Sequence, residues 1–364
     1  MTDRYKVYTK ILKVLKEKIK LSHPGHVLTL AMMIAGLVTS RKAQLPAVSA
    51  EIGTDAKESS VEMRFRRWVK NASIDADVIY MPFAKQILQA LSDEPLRLVM
   101  DGSQIGRGCM VLMVSVLYQK RALPLAWIVY QGKKGHTTGQ RHVEALTKVE
   151  LLLPANCEVI LLGDAEYDTT EMQQWVQKKD NWDYVLRTSP QIYVQDGSQS
   201  QPIGNYPLEK GQLFQRHEVG FTQAATLSVT LVGWWSSRYE EPLYLVTSLP
   251  NGYQACKYYR RRFQIETFFS DQKSRGFHIH KSHLAAPDRL SRLLLAACLA
   301  YIWMVCQGLL IIAEKKTGLI DRTDRIDKSL FRLGLDWIRY ALKQQIDFTP
   351  LFLFQFSLDF PDVR

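Results

Sequence analysis

The order of the apolar segments between residues 96 and 188 constrains the fold more than any other feature. Three strand-like runs come first, "LRLVMDG", "GCMVLMVSVLYQ" and "ALPLAWIVYQ". A helix-like segment, the apolar strand "CEVILLGD", a second helix-like segment and the strand "WDYVLRT" follow. This order predicts an α/β sheet with mixed strand directions. The continuous apolar run of "CEVILLGD" is typical of a strand covered on both faces of its sheet.

The flanking segments predict the rest of the architecture. Residues 190–250 alternate apolar and polar residues between turn signals, which predicts a β insertion, with "GSQSQPIGNYP" as a loop. Residues 1–95 and 286–364 have the periodicity of helices. We therefore predict a helical region at 1–95, an α/β domain at 96–285 that contains the insertion, and a mainly helical region at 286–364.

The charge of the chain favours a polyanionic partner. Lys and Arg outnumber Asp and Glu by 47 to 36, which gives a formal charge of +11. The segments "QLPAVSAEIG" and "SSVEMRFRRWVKN" have the cadence of two short helices joined by a turn. This predicts a DNA-binding helix pair, in which Arg64, Arg66, Arg67 and Lys70 contact DNA. A solvated basic helix face is the alternative.

Several classes of protein are disfavoured. The five cysteines are scattered, which argues against a disulfide scaffold and a structural zinc site and fits a reducing compartment. The first residues lack the apolar segment of a signal peptide. Residues 293–313 carry no charge and are long enough to span a membrane. We predict instead that they form a helix buried in the protein.

Two aspartates follow apolar strands. Asp101 ends "LRLVMD" and Asp164 ends "VILLGD". Ligands of open α/β sheets bind beyond the carboxyl ends of the strands, and carboxylates gathered there can hold Mg²⁺. Each aspartate also has a structural alternative, because "DG" at 101–102 is a turn dipeptide and Asp164 could cap a helix. The capping-box spacing of "DTTE" makes Asp168 the better candidate for that cap.

A third acid lies in the basic and aromatic stretch "YYRRRFQIETFFSDQKSRGF". If this stretch is one continuous helix, Tyr259, Arg262, Glu266 and Lys273 share an arc of about 60° on one face. Arg260 and Arg261 then point elsewhere and should matter less for catalysis. A charged stripe of this kind also occurs on any surface helix.

These residues resemble a known family. Tyr259-x2-Arg262-x3-Glu266-x6-Lys273 is similar to the Y-R-E-K signature of the DDE transposases of bacterial insertion sequences, specifically the insertion-sequence-four group. "MDGS" and "GDAEYD" are similar to the first and second aspartate motifs of that group, and "QLPAVSAEIG…RFRRWVKN" to its DNA-binding region. The resemblance covers residues 40 to 285 and implies an RNase H-like catalytic core.

The resemblance also implies residue roles. Asp101, Asp164 and Glu266 would bind catalytic Mg²⁺, and Mn²⁺ would suit the same oxygen ligands. Tyr259, Arg262 and Lys273 would contact phosphates at the transposon end. The expected activity is phosphodiester hydrolysis followed by strand transfer. The expected partners are the terminal inverted repeats and the target DNA, bound by a homodimer in the bacterial cytoplasm, at the nucleoid, without a membrane.

Other functions stay open at this point. An RNase H-like nuclease or resolvase would have the same acids without strand transfer, and a transposition repressor would bind DNA without cutting it. Trp234 or Trp235 could stack on a base taken from the duplex, or belong to a small core. The histidines of "HIHKSH" could bind a metal but lack a fourth ligand nearby, so a loop that touches DNA is preferred.

Overall fold

A computed structural model describes residues 3–19, 23–135, 137–224 and 227–352, with side chains from residue 7 onward. The ten strands of these described ranges form one sheet, in the order β3-β2-β1-β4-β5-β10-β9-β8-β6-β7. The strands are β1 (Leu96–Gly106), β2 (Cys109–Tyr118), β3 (Arg121–Gln131), β4 (Val159–Gly163), β5 (Trp182–Arg187), β6 (Tyr193–Asp196), β7 (Gln199–Pro202), β8 (Leu213–Phe221), β9 (Leu227–Trp234) and β10 (Leu243–Thr247).

The first five strands form the mixed α/β core that the sequence predicts. β1 pairs antiparallel with β2, which pairs antiparallel with β3. On its other side β1 pairs parallel with β4, which in turn pairs parallel with β5. The order 3-2-1-4-5 with these directions is the RNase H-like arrangement. The predicted mixed α/β fold is therefore confirmed.

Helices cover the sheet, and within the described residues they also precede and follow its strands in the sequence. They are α1 (Asp3–Lys18), α2 (Pro24–Ser40), α3 (Leu45–Ser49), α4 (Glu58–Lys70), α5 (Ala76–Leu91), α6 (Gly139–Glu150), α7 (Thr170–Gln177), α8 (Gly252–Tyr259), α9 (Gln264–Gln272), α10 (Pro287–Ala313) and α11 (Leu330–Lys343). The flanking regions are thus helical, as predicted. The exact domain boundaries remain a prediction.

The predicted β insertion does not form a separate sheet. β10 pairs antiparallel with β5, so the insertion extends the core sheet by five strands. The loop predicted at 197–207 is wrong in part, because β6 and β7 form a hairpin there. Gly197 lies at the turn of this hairpin with φ +60°, a conformation that glycine adopts without steric cost. The dipeptide "DG" at 196–197 is typical of a hairpin turn, and the prediction of a loop did not take it into account.

The long apolar helix α10 lies in the centre of the protein. Its length and a mean hydropathy of 2.2 would suffice to cross a membrane, but 89% of that apolar window is buried inside the protein. Glycines allow α11 to pack closely against it. A Cβ atom on Gly334 would lie 2.0 Å from the backbone oxygen of Met304, and one on Gly308 would lie 2.1 Å from that of Leu330. The prediction of a buried helix is confirmed.

Candidate active site

Asp101 lies within strand β1. The strand continues to Gly106, and the hairpin turn comes only at residues 107–108, so the predictions of a strand end or turn at Asp101 are wrong. Pairing of β1 with the long apolar strand β2 carries the strand through the "DG" dipeptide, because Asp101 and Gly102 stand opposite Met113 and Leu112. One carboxylate oxygen of Asp101 accepts a 2.7 Å hydrogen bond from the backbone N–H of Gly102.

Asp164 directly follows β4, as predicted. Its carboxylate accepts a 2.9 Å hydrogen bond from the backbone N–H of Ala165 and thereby caps a short 3₁₀ turn at Ala165–Tyr167. The prediction that Asp168 is the cap is wrong. The 3₁₀ turn delays the start of α7, so its N-cap is Thr169, which makes no side-chain capping bond. Burial raises the pKa of Asp168 to about 6.

The predicted continuous helix around Glu266 is also wrong. Helix α8 ends at Tyr259 and α9 begins at Gln264. The backbone N–H groups of Arg261 and Arg262 bond to carbonyls three residues back, so the intervening turn is tighter than an α-helix. The segment contains no glycine or proline, and tertiary contacts decide this break: Tyr259 and Arg262 are both buried, at 2% and 3% exposure.

The turn nevertheless brings the three predicted acids around one side chain, that of Arg262. The Arg262 guanidinium lies 3.6 Å from a carboxylate oxygen of Asp101 and 3.6 Å from one of Asp164. It lies 3.5 Å from the carboxylate of Glu266. Tyr259 adds a long hydrogen bond of 3.4 Å from its hydroxyl to Asp164. Acids from β1, from the end of β4 and from α9 therefore surround one buried arginine.

Lys273 lies just beyond α9 and borders the same site. Its ammonium group donates a 2.6 Å hydrogen bond to the hydroxyl of Ser103, two residues after Asp101 on β1. Burial lowers the pKa of Lys273, and nearby Lys134 lowers it further. Burial also raises the pKa of Asp101 to about 6, against the opposing effect of Arg262. The ammonium group of Lys273 and the carboxylate of Asp101 are therefore both partly removed from solvent.

Two residues near the acids were not predicted from the sequence. Arg187, at the end of β5, places its guanidinium 3.7 Å from the carboxylate of Asp164. Ser103 receives the lysine hydrogen bond described above. Ser103 lies two positions after Asp101, and alternation along a strand puts such residues on one face. Strands β4 and β5 pair in parallel with Gly163 opposite Leu186, so the next residues, Asp164 and Arg187, lie side by side. A correct prediction of this pairing would have identified Arg187.

The oxygen donors of the triad are those that Mg²⁺ and Mn²⁺ prefer. In this structure the three carboxylates face the guanidinium of Arg262 and do not converge on a common metal position. Within the described ranges, no three His, Cys, Asp or Glu side chains are grouped closely enough to hold a metal ion. This finding also covers the histidines of "HIHKSH". His280 and His283 are exposed on the segment that follows α9.

A family model described as "Transposase DDE domain" matches residues 72–303 of the 364, which is more than half of the chain and includes all three acids. The chain belongs to the DDE transposase family. The solved structure of a piggyBac transposase synaptic complex with hairpin DNA is similar at 12% sequence identity and a TM-score of 0.48. The match covers 95% of this chain and 80% of that one. No curated protein sequence matches the chain.

The basic residues predicted to bind DNA lie together on α4 of this transposase-family chain. Arg64 donates a 2.8 Å hydrogen bond to the hydroxyl of Thr29, and Arg66 forms a 2.6 Å ion pair with Glu62. Arg67 and Lys70 are exposed. The predicted pair of helices exists, with α3 only five residues long and Gly53 in the connection.

The two tryptophans of the insertion have different environments. Trp234 lines a cavity of about 530 Å³ together with Arg187, Tyr239, Arg260 and other residues. The rings of Trp234 and Tyr239 meet edge to face at 6.1 Å. The indole N–H of Trp235 instead donates a hydrogen bond of 3.2 Å to the backbone oxygen of Tyr239. The cavity adjoins the acids, because Arg187 borders both.

Proposed function

We propose that this chain is a DNA transposase of the insertion-sequence-four group. It binds transposon ends, hydrolyses a phosphodiester bond at each end and transfers the freed 3′-hydroxyl to target DNA. The convergence of Asp101, Asp164 and Glu266 on Arg262 is the observation that carries the proposal. The family match supports it, since residues 72–303 include this site. The Y-R-E-K spacing supports the assignment to the group.

The three acids are proposed as the ligands of divalent ions, Mg²⁺ or Mn²⁺. Such ions, when bound, activate the attacking oxygen and stabilise the charge on the leaving oxygen. The chain supplies rigid positions for the ligands. Gly102 and Ala165 fix one oxygen each of Asp101 and Asp164 through backbone hydrogen bonds, and the second oxygen of each faces the Arg262 guanidinium at 3.6 Å. Glu266 is 57% exposed and can move toward the two aspartates.

Basic residues around the acids are proposed to bind DNA phosphates. Arg262 and Lys273 lie beside the three acids and would reduce the repulsion between three carboxylates and the DNA backbone. Tyr259 would contact a phosphate through its uncharged hydroxyl. On α4, Arg64, Arg66, Arg67 and Lys70 would bind phosphates farther along the transposon end. Arg67 and Lys70 should contribute most, because Arg64 and Arg66 already have partners in the protein.

The β insertion is proposed to hold and distort the transposon end. Trp234 lines the cavity beside the acids, so it is the better of the two tryptophans for stacking on a displaced base. Replacement of Trp234 by Ala should reduce the fluorescence change of a 2-aminopurine placed at the transposon end. The same replacement of Trp235 is the matched control. An equal effect of both would refute this choice.

The test of the proposal combines purified protein, terminal inverted-repeat DNA and Mg²⁺. Wild type should release the ends and join them to a target, whereas Glu266→Gln should bind the ends normally and fail to cut them. Release without joining would favour the RNase H-like nuclease or resolvase. Binding without release by wild type would favour the repressor. Cleavage by Glu266→Gln at the wild-type rate would refute the triad.

Two further predictions concern context. Joining of two ends needs two active sites, so we expect a homodimer on DNA in the bacterial cytoplasm, at the nucleoid. Sedimentation of the protein with paired ends tests the dimer. Inverted repeats and a short target duplication around the gene would support its origin in an insertion sequence.

A further inference from the structure

Arg262 has an unusual position for a residue that binds DNA. Its side chain is 4% exposed, and its guanidinium faces the three acids at 3.5–3.6 Å. Phe263 covers the guanidinium at 4.4 Å from the ring centroid, and Tyr259 lies at 5.8 Å. A phosphate that arrives from solvent therefore cannot reach this guanidinium in the arrangement seen. The side chain has to turn outward before it can contact DNA.

The contacts between Arg262 and the acids are long. Charge-assisted hydrogen bonds between a guanidinium and a carboxylate typically measure about 2.7–2.9 Å. The three distances here are 3.5–3.6 Å, and the buried Nε atom of Arg262 has no hydrogen-bond partner among the described residues. The guanidinium is thus shared among three carboxylates and tightly bound to none. The guanidinium therefore offsets the charge of the three carboxylates without forming a close hydrogen bond to any of them.

The same oxygens are the proposed metal ligands, so the guanidinium and the metal ions need the same acids. A divalent ion would be repelled by a cation held within 4 Å of its ligands. The surroundings permit an exchange. Arg262 lies on the short turn between α8 and α9, and its two ring neighbours, Tyr259 and Phe263, also line the cavity of about 530 Å³ beside the site.

We propose that Arg262 is an internal counter-ion that holds the acids together before DNA binds and must leave them before divalent ions bind fully. This inference rests on the proposed metal-binding role of the acids. It makes DNA binding and metal binding cooperative through one side chain, because a phosphate that draws Arg262 outward frees the ligands. By linkage, each of the two ligands then raises the affinity of the other by the same factor.

The test measures Mn²⁺ binding to the full, DNA-free chain by electron paramagnetic resonance of free Mn²⁺. Arg262→Gln removes the competing charge and should raise Mn²⁺ affinity at least about tenfold, which corresponds to about 1.4 kcal/mol. Arg187→Gln is the matched control, since its half-exposed guanidinium lies near Asp164 alone. It should change the affinity less than about threefold, because solvent screens its charge.

A second variant covers the case in which three unbalanced carboxylates prevent folding. Arg262→Lys keeps a charge but cannot bridge three acids, so it should fold and raise Mn²⁺ affinity by a smaller factor. Unchanged or weaker Mn²⁺ binding by the folded Arg262 variants would overturn the counter-ion role. Asp101→Asn separates this outcome from failure of the metal site. If Asp101→Asn left Mn²⁺ binding unchanged, the proposed function itself would be wrong.

Discussion

A buried ion pair fixes the far end of helix α9, and its energetics give a quantitative prediction. Arg121, the first residue of β3, lies 2.7 Å from a carboxylate oxygen of Asp271, with side-chain exposures of 10% and 5%. At this distance and an effective dielectric constant of about 20, the attraction is about 6 kcal/mol before desolvation. Burial nevertheless raises the pKa of Asp271 from 3.8 to about 6. Desolvation therefore outweighs the attraction by about 3 kcal/mol.

A double-mutant cycle that replaces Arg121 and Asp271 by Leu, singly and together, measures the contribution of this ion pair. Arg121→Leu leaves an unpaired buried carboxylate and should lower the free energy of unfolding by about 3–5 kcal/mol, and Asp271→Leu should cost a similar amount. The double variant removes both charges and should be as stable as wild type, or up to about 3 kcal/mol more stable, at pH 7. Chemical unfolding followed by far-UV circular dichroism, in the presence of a chelator, measures all four proteins.

The pH dependence provides an independent check of the same pair. The pKa of Asp271 is higher in the folded protein than in the unfolded chain, so the folded state binds more protons between pH 4 and pH 6. Wild type should therefore lose up to about 3 kcal/mol relative to the double variant as the pH rises through this range. Additive effects of the two single variants, or a stability difference that does not change with pH, would show that the charges of Arg121 and Asp271 are not coupled in this way.

Three further predictions concern packing and DNA binding. Gly334→Ala should lower the melting temperature by several degrees, because its Cβ would lie 2.0 Å from a backbone oxygen of α10; an unchanged melting temperature would contradict this packing. Arg67→Ala should weaken nonspecific DNA binding and reduce the slope of log affinity against log salt concentration by about one phosphate contact. Arg66→Ala should have a smaller effect, because Arg66 is ion-paired within its helix. Equal losses in the two variants would contradict this order. Arg262→Ala should reduce end cleavage far more than Arg260→Ala, whose side chain is exposed, and a comparable loss in both would contradict the site geometry.

The sequence predicted the core sheet because its strands are apolar and its helices are amphipathic. "CEVILLGD" became β4, with all five residues from Val159 to Gly163 buried, and Asp164 follows it directly. Local periodicity sufficed for these elements because strand burial on both faces leaves a continuous apolar run. The assignment of the three acids stays a prediction. Asp101 and Asp164 were inferred from their positions after apolar strands, and Glu266 from the spacing of a family signature.

The geometry that joins the acids could not be predicted from local sequence. The break at residues 260–263 has no glycine or proline and depends on burial of Arg262 among residues distant in sequence. The extension of β1 past Asp101 depends on pairing with β2. In both cases, long-range contacts overrode the local propensity, which is where predictions from a single sequence fail.

Asp101, Asp164 and Glu266 are proposed to bind the catalytic metal ions, and a change of metal specificity tests this role most directly. Each acid is replaced in turn by Cys, whose thiolate binds Mn²⁺ better than Mg²⁺. Single-turnover cleavage of a transposon end should be lost in Mg²⁺, by about a thousandfold, and partly restored in Mn²⁺, while wild type works in both. A folded, DNA-binding Cys variant that cuts at the wild-type rate in Mg²⁺ would contradict the claim for that acid.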